Sequence, residues 1–581
     1  TTRNIVVGRT STNPSPVATD FKWAEIDADL KTNLGKLTPS SAEDTLGSDR
    51  LSYLRGANTR DGTTFRQRTG KLLGDIVNSG VVYSGAPSTS VPSDSSYTLF
   101  VTANAARTAA VYVGANDGML HAFSAATGDE LFGYIPSWMG PKLAALTAPT
   151  YAANHQAYVD ATPVVGEVKV ANSSPASASD WKTVLVGGTG AGGRGVYALD
   201  VTDPSSFSAS KVLWEFTQLH DADMGFVIGA PKLVKMRTSA PSATSPTYRW
   251  FAAVASGVNN YVNDGQGNFS STGAPTIFLL ALDKPAGTAW TATGSEPNYY
   301  KIALPFNATT SLTNPTGVVN FQTIIGPSRE VTQLYAGDLH GNLWKLDFSQ
   351  LGSTDWNINK LSYFKTGSGV TIAPYPMYIA KSASGAIQPI TMAPALSAAA
   401  VVSSTTDIVV SFATGKFMES GDKNSTAQQS FYSIYDNNTR TADTSSPVVP
   451  PAISGRGRLV QGVIDTTAGT VTVSSFKWGR PTSNTDTTTR AGYYFDFPSS
   501  GEKAVSNPKI IGNNLTFNTL IPAAPGSTGG CTAAGGSGRT YDLDLDSGNG
   551  TFRTSTVGLL GESLIVQIPG ATTYTKSRTT G

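Results

Sequence analysis

The chain has 581 residues, more than one ordinary hydrophobic core needs, so we expect either several domains or one large repeat architecture. Its formal net charge is only +1, and no basic run is interleaved with aromatic residues, which argues against nucleic acid as a partner. The 59 glycines and the charged fraction of 14% favour strands and turns, because glycine weakens helices. We therefore expect an all-β protein.

Targeting and redox signals are sparse. No apolar run reaches the roughly 18 residues of a membrane-spanning helix, so we expect no transmembrane segment in this portion. The chain begins at Thr1 rather than at Met, and we expect an excised or processed piece of a longer protein. The single Cys531 cannot form an internal disulfide and excludes a structural site built from several cysteines. Loops rich in Ser, Thr, Asn and Gly are typical of an exported surface protein.

Residues 1–80 mix turn-forming residues with short apolar patches at 21–26 and 51–54. We expect a lead-in segment there, with one or two helices. The first strand-like run is at residues 81–83, so we expect the main domain to cover residues 81–581.

Two later stretches are copies of one pattern. Residues 111–123 overlay residues 334–346 at a constant offset of 223, with Tyr, Gly, Gly and Leu in register. Each copy has a short apolar strand, a turn bounded by glycines and a second strand of alternating apolar and polar residues. This pattern predicts a β-hairpin as the repeated unit.

The pattern recurs along the chain at intervals of 73, 69, 81 and 74 residues, with first strands that start near Val111, Val184, Ala253, Leu334 and Ile408. Most second strands end in an apolar residue and an aspartate, namely Asp200, Asp283, Asp347 and Asp436, with weaker echoes at 493–496 and 541–544. The spacing gives about seven units, each large enough for one propeller blade of about 40–50 residues plus insertions. A closed ring also removes open sheet edges. We predict a β-propeller of about seven blades with large loop insertions.

Three long insertions are expected, at residues 257–274, 285–317 and 415–429. Binding functions usually lie in surface loops that a rigid scaffold holds. We therefore expect the function of the chain to lie in these insertions.

The sequence offers little for catalysis. Its four histidines, His121, His155, His220 and His340, are scattered, and no nucleophile elbow, zinc-protease pair or phosphate loop occurs. The Gly-rich stretch 187–195 leads into a strand rather than a helix, which favours a hairpin over a nucleotide site. We predict that the chain is not an enzyme.

Calcium is the one metal that the sequence raises, because Ca²⁺ loops collect Asp and Asn at alternate positions around a glycine. The weak candidates in a loop are Asn263, Asp264 and Asn268. Residues 542–546 also alternate carboxylates, but with leucine between them, which indicates a strand with one polar face.

The repeat at residues 111–123, followed by Ala-Thr-Gly-Asp-Glu-Leu at 126–131, resembles the repeat of quinoprotein dehydrogenase propellers. A longer series of motifs resembles the C-terminal propeller of the PilY/PilC family of type IV pilus tip-associated adhesins and biogenesis factors. The resemblance covers about residues 50–565, and its motifs occur in one order at 73–79, 111–123, 134–136, 158–163, 188–200 and 335–344.

This resemblance implies a protein of the cell surface, at the pilus tip or outer membrane. It implies promotion of pilus assembly or opposition to retraction, with effects on twitching motility, and binding of minor pilins, a host surface receptor or a glycan. A von Willebrand A-like domain commonly lies upstream in this family. The calcium loop of the family lies just before Tyr335, where this chain has Glu330 as the single carboxylate of residues 325–333. We therefore expect that this calcium site is lost.

Two alternatives accompany this prediction. A quinone-dependent dehydrogenase on a similar propeller would need a cofactor-stacking tryptophan, calcium ligands and usually an adjacent pair of cysteines, which one cysteine cannot supply. A glycan-binding propeller is compatible with the pilus function and would use exposed side chains among the 9 tryptophans and 22 tyrosines.

Overall fold

The computed structural model describes residues 2–579 except 12–13, 90–93, 266, 295, 308–312, 367–372, 399–406, 437–452, 454, 480–487, 524–535, 557, 559 and 567–573. Cys531 lies outside the described residues. The chain forms two compact units, Thr1–Gly317 and Val318–Gly581. None of the helices among the described residues combines the length and the apolar character needed to cross a membrane.

The described residues of the first unit form four short helices and fourteen strands. The helices are α1 (Ala28–Gly35), α2 (Gly47–Leu54), α3 (Ser95–Ala103) and α4 (Gly140–Leu143). The strands are β1 (Ile5–Gly8), β2 (Ala18–Asp20), β3 (Val82–Ser84), β4 (Ala110–Gly114), β5 (Leu120–Ser124), β6 (Glu130–Ile135), β7 (Val164–Lys169), β8 (Trp181–Gly188), β9 (Gly195–Asp200), β10 (Val212–Thr217), β11 (Lys232–Arg237), β12 (Tyr248–Ala255), β13 (Thr276–Ala281) and β14 (Tyr299–Ala303).

These strands form three sheets. The second and third are four-stranded, in the orders β10-β9-β8-β7 and β11-β12-β13-β14, and consecutive strands pair antiparallel. The first sheet has the order β2-β1-β6-β5-β4-β3, and β1 pairs parallel with β6. The expected lead-in therefore supplies helices α1 and α2, as predicted, and also two strands of the first sheet. The boundary at residue 80 stays a prediction.

In the second unit, the part of the chain that the structure describes forms one short helix, α5 (Ile358–Leu361), and twenty-two strands. The strands are β15 (Val318–Ile325), β16 (Val331–Asp338), β17 (Asn342–Asp347), β18 (Lys365–Thr366), β19 (Ala373–Pro374), β20 (Tyr378–Ile379), β21 (Ala395–Ala398), β22 (Ile408–Ala413), β23 (Ser430–Asp436), β24 (Val460–Gln461), β25 (Val463–Asp465), β26 (Thr470–Thr472), β27 (Lys477–Trp478), β28 (Thr489–Arg490), β29 (Gly492–Asp496), β30 (Lys503–Ala504), β31 (Lys509–Ile511), β32 (Asn514–Ile521), β33 (Ser537–Asp544), β34 (Gly550–Thr554), β35 (Leu560–Val566) and β36 (Tyr574–Thr579).

Three larger sheets result, in the orders β15-β16-β17-β20, β21-β22-β23-β29-β24 and β25-β26-β34-β33-β32-β30 with β31 beside β32. The remaining strands form two-stranded pairs, β18-β19, β27-β28 and β35-β36. Over both units, the described residues thus form six sheets of four or more strands, compared with about seven predicted blades.

In five of the six sheets, the repeated hairpin of the sequence is a pair of neighbouring strands inside the sheet. Residues 111–123 form β4 and β5, and residues 334–346 fall in β16 and β17, each pair antiparallel in register. The predicted first strands near 184, 253 and 408 likewise fall in β8, β12 and β22. Central strands are buried on both faces, so their apolar pattern and glycine-bounded turns are the strongest signals in the sequence.

Two sequence interpretations change in the structure. The echo at residues 493–496 is β29, which pairs with β23 in the same sheet and so does not begin another unit. The predicted insertion at 285–317 contains β14, the fourth strand of the third sheet. Neither segment carries the glycine-bounded turn to a following partner strand that marks the repeated hairpin, so the sequence pattern did not reveal its place in the sheet.

The repeated aspartates stabilise the sheets. Asp200 pairs with Lys182, and Asp283 pairs with Arg249, each base lying on the strand next to the aspartate. Asp347 instead accepts hydrogen bonds from the backbone and hydroxyl of Ser349. The aspartates at the strand ends are therefore parts of the scaffold.

Candidate functional site

The calcium candidates of residues 263–268 form a turn that hydrogen-bonds to itself. Asn263 Oδ1 accepts hydrogen bonds from the amides of Gly265, at 2.8 Å, and Gly267, at 3.1 Å. Asp264 accepts from the backbone amide of Asn268 at 3.1 Å and from its side-chain amide at 2.9 Å. These bonds account for the Asn, Asp and Gly content of the turn. Calcium binding there stays a prediction.

The position of the family calcium loop is a short hairpin turn between β15 and β16. The Gly326 amide donates to Glu330 O at 2.7 Å, and the Arg329 amide donates to Gly326 O at 2.9 Å. Tyr335, which follows, is fully buried and donates its hydroxyl to Asp436 at 2.8 Å. Among the described residues, no group of three or more His, Cys, Asp or Glu side chains is arranged to hold a metal ion.

The alternating carboxylates at 542–546 lie at the end of β33, as the strand interpretation predicts. Asp542 pairs with Arg553, while Asp544 accepts hydrogen bonds from Ser547 and Asn513. Each carboxylate therefore has its own local partner.

The histidines have separate partners as well. His121 is buried between Asp117, at 3.1 Å, and Glu130, at 2.8 Å, and Glu130 also pairs with Arg3. Burial disfavours the charged imidazole, but the two carboxylates outweigh it and raise the pKa of His121 to about 9. His155 pairs with Asp75 at the surface, and the backbone amide of His340 donates to Asp338. These contacts are structural.

The first unit contains a cleft of about 810 Å³. It lies among the N-terminal segment, the 3-10 turn Ser137–Met139, the hairpin after β8, the end of β10, and the loops at 262–268 and 284–290. Two of the predicted insertions therefore contribute to its wall. This size is in the range of small-molecule sites.

Glu215 of β10 lies at the centre of the cleft wall. Its carboxylate accepts hydrogen bonds from the Tyr134 hydroxyl at 2.6 Å, the Ser137 amide at 2.8 Å and the Ser137 hydroxyl. Burial raises the pKa of Glu215, although these hydrogen bonds act in the opposite direction. The carboxyl group is thus fully committed to the protein and positions the turn that carries Trp138.

Trp138 covers the Gly-rich hairpin of residues 187–195. Its indole Nε1 donates to the Thr189 hydroxyl at 3.0 Å, and a Cβ at Gly193 would lie 2.5 Å from its Cδ1. A Cβ at Gly192 would lie 1.6 Å from Tyr158 O. The glycines therefore allow close packing in a hairpin between β8 and β9, which agrees with the sequence interpretation.

Trp290 forms the opposite aromatic group, from the predicted insertion at 285–317. Its indole Nε1 donates to Glu215 O at 2.9 Å. Its ring packs edge-on against the rings of Trp214 and Phe216, with distances between ring centres of 5.3 Å and 5.0 Å. Glu215 therefore links the segments that carry both half-buried indoles. Its backbone carbonyl accepts from Trp290, and its carboxylate accepts from Ser137, the residue before Trp138.

Two lysines in the cleft have no carboxylate partner in the part of the chain that the structure describes. Lys142 Nζ donates to the carbonyls of Ala157, at 2.6 Å, and Gly192, at 2.9 Å. Lys284 is 7% exposed, donates to Pro285 O at 3.4 Å and lies 4.8 Å from the centre of the Trp290 ring. Burial lowers the pKa of each to about 8. A cleft with two such cations is suited to an anionic group.

None of Trp138, Lys142, Glu215, Lys284 and Trp290 was identified as a functional residue from the sequence. The available signals were the predicted insertion that contains Trp290 and the Gly-rich hairpin beneath Trp138. The long-range hydrogen bonds to Glu215 join segments about 75 residues or more apart, which no local pattern reveals.

The repeated antiparallel sheets define a protein of the β-propeller class. Within that class, the sequence pattern of the PilY1 beta-propeller domain family matches residues 73–281 and 327–477, which is more than half of the chain. The chain belongs to this family.

Two similar proteins agree with this family. A type IV pilus biogenesis factor PilY1 homolog of Xylella fastidiosa (strain Temecula1) is 31% identical over 91% of this chain and 34% of its own length. Type IV pilus biogenesis factor PilY1 of Pseudomonas aeruginosa (strain PAK) is 30% identical over 92% of this chain and 43% of its own length. The chain thus spans less than half of these relatives.

The crystal structure of the Pseudomonas aeruginosa PilY1 C-terminal domain has the same fold, with a TM-score of 0.56 and 23% identity. The match covers 85% of this chain and 97% of that domain. The predicted fold class is therefore confirmed.

Proposed function

We propose that this chain is the C-terminal propeller of a type IV pilus biogenesis factor, which promotes pilus assembly or opposes retraction. The observation that carries the proposal is the match of nearly the whole chain to relatives that are named type IV pilus biogenesis factors. The proposal includes export to the cell surface, at the pilus tip or outer membrane.

The role that we propose is non-enzymatic. The four histidines each lie in a separate local environment, and the carboxylates considered above are held by neighbouring bases, hydroxyls or amides. The dehydrogenase alternative is disfavoured further by the single cysteine, which cannot form an adjacent pair. Display of binding loops on a rigid scaffold is the mechanism that these features support.

Minor pilins are the proposed partners in assembly, and a host surface receptor or glycan is the proposed partner in adhesion. The predicted insertions at 257–274 and 285–317 support binding because residues 262–265 and 268 of the first, and 287, 288 and 290 of the second, line a concave surface.

The test is an in-frame deletion of residues 81–581 in the bacterium that carries the gene. We expect fewer surface pili, measured by shearing and immunoblotting, and smaller twitching zones, and both should be restored by the intact chain. A matched control carries Arg553→Ala, which changes a side chain that is 81% exposed. Normal piliation and motility in the deletion strain would contradict the proposal.

A further inference from the structure

The cleft of the first unit contains buried polar atoms that the protein itself does not satisfy. Trp214 is 1% exposed, and its Nε1–H has no hydrogen-bond acceptor among the described residues. Gln218 Oε1 is likewise buried without a donor. Both residues line the cleft. Buried polar groups are usually paired, so an orphaned donor and an orphaned acceptor in one cleft indicate a ligand with hydroxyl groups, which both donate and accept.

The charges of the cleft indicate a second property of the ligand. Among the described residues, Lys142 and Lys284 donate only to backbone carbonyls, and no carboxylate there lies within ion-pair distance of either ammonium. Arg194 is also bound to carbonyls, those of Asn260, Val262 and Asn268. Arg194 has Asp264 as a neighbouring negative charge, so the two lysines are the cations that favour a ligand with a carboxylate.

A peptide is disfavoured by the state of the sheet edge. Strand β10 is the terminal strand of its sheet, and an extended peptide would have to pair with its free backbone groups. The Glu215 carbonyl of β10 already accepts the Trp290 indole proton, and the Trp290 ring covers this position. The edge is therefore blocked at the point where it meets the cleft.

We propose that the cleft binds a carboxylated sugar, whose hydroxyls engage Trp214 and Gln218 and whose carboxylate engages a lysine of the cleft. The half-buried indoles of Trp138 and Trp290 supply apolar surface for a sugar ring. Short polar side chains on the rim, such as Thr10, Asn33 and Thr288, are suited to further hydroxyl groups. This inference deepens the adhesive part of the proposed function and rests on it.

Binding is measured by titration calorimetry on the purified chain at pH 6.5, where both lysines are charged. The probes are disaccharides that contain glucuronate, galacturonate or N-acetylneuraminate, their neutral counterparts, and a hexapeptide with a free carboxyl terminus. We expect at least one acidic sugar to bind with 1:1 stoichiometry and at least tenfold more tightly than its neutral counterpart.

Lys284→Met should weaken binding of the acidic sugar at least tenfold, because it removes the ammonium group. It should leave binding of the neutral sugar unchanged, because the methionine keeps the apolar stem of the side chain. The control Lys71→Met changes an exposed lysine outside the cleft and should bind as the parent does. Melting temperatures verify that each variant is folded. If Lys284→Met does not fold, Lys284→Arg provides the test, because it should retain the preference for acidic sugars.

Three outcomes would overturn the inference: no binding of any acidic sugar at millimolar concentration, equal affinity for acidic and neutral sugars, or tighter binding of the peptide. The proposed role in pilus assembly is measured separately in the deletion strain. A cleft variant that loses the sugar but restores normal piliation separates the two conclusions.

Discussion

Lys345 Nζ lies 2.7 Å from Asp436 Oδ2, and neither side chain has more than 2% of its surface exposed. The pair joins β17 to β23, in two different sheets of the second unit. Tyr335 donates its hydroxyl to the same carboxylate oxygen at 2.8 Å, and the ammonium lies 3.9 Å from the centre of the Tyr363 ring. The charge pair is thus enclosed by aromatic groups and fixes one sheet against the next.

We expect Lys345→Met to reduce the free energy of unfolding by about 3–5 kcal/mol, because it leaves the Asp436 carboxylate buried without a counter-charge. The measurement is urea unfolding followed by tryptophan fluorescence. The double variant Lys345→Met, Asp436→Leu should lose less unfolding free energy than Lys345→Met alone, because it leaves no unpaired carboxylate. The control Arg553→Met removes an exposed ion pair and should cost less than about 1 kcal/mol. A Lys345→Met protein as stable as the parent would refute the role of the pair.

The buried network of His121 predicts a loss of stability in alkali. The folded pKa is about 9 and the unfolded value is about 6.5, so the charged imidazole stabilises the fold fully below pH 6.5. This contribution decreases as the pH rises through 9. Melting temperatures between pH 6 and 10 should therefore fall for the parent and change less for His121→Gln. The same change of melting temperature with pH in both proteins would contradict the role of His121. The surface variant His155→Gln is the control and should behave as the parent does.

In acid, the stability that this network contributes changes with pH in the opposite direction: it decreases as the pH falls. Burial would raise the pKa of Glu130, but the hydrogen bonds from Arg3 and His121 outweigh it and lower the pKa to about 2. The ionised carboxylate therefore stabilises the fold above pH 4.5, and this contribution is lost as the pH falls toward 2. Glu130→Gln should make the melting temperature less dependent on pH between 5 and 2. An unchanged acid profile would show that Glu130 does not contribute.

The Gly-rich hairpin predicts a steric effect. Gly192→Ala would place a Cβ 1.6 Å from Tyr158 O, a backbone atom and not the end of a flexible side chain. We expect a loss of about 3 kcal/mol in unfolding free energy or a failure to fold. Gly421→Ala is the control, because no atom lies within 4 Å of its added Cβ, and we expect a change below about 0.5 kcal/mol. Equal stabilities of the two variants would contradict the close packing.

We also predict that residues 325–333 hold no stoichiometric calcium. Metal analysis of the purified chain dialysed against Ca²⁺ should give the same calcium content for the parent and for Glu330→Gln. Asp264→Asn tests the turn at 263–268 in the same experiment. A calcium ion that is present in the parent and lost in Glu330→Gln would refute the prediction.

The sequence alone determined the fold class, because the central hairpin of each sheet carries its own local signal. Buried strands require continuous apolar residues, and their tight turns require glycines, so residues 111–123 and 334–346 could be recognised without any partner. Strands β14 and β29 lack this signal, so the sequence pattern predicts an insertion at the first and a further echo of the repeat at the second.

The tertiary structure alone decided which polar residues meet. Nothing near Lys345 in the sequence indicates Asp436, and nothing near Glu215 indicates Trp138 and Trp290, since these contacts join segments separated by about 75 to 90 residues. Strand and turn patterns depend on neighbouring residues, whereas buried ion pairs and the walls of a cleft depend on how the sheets pack. The candidate calcium residues could be found in the sequence, but the cleft could be found only in the fold.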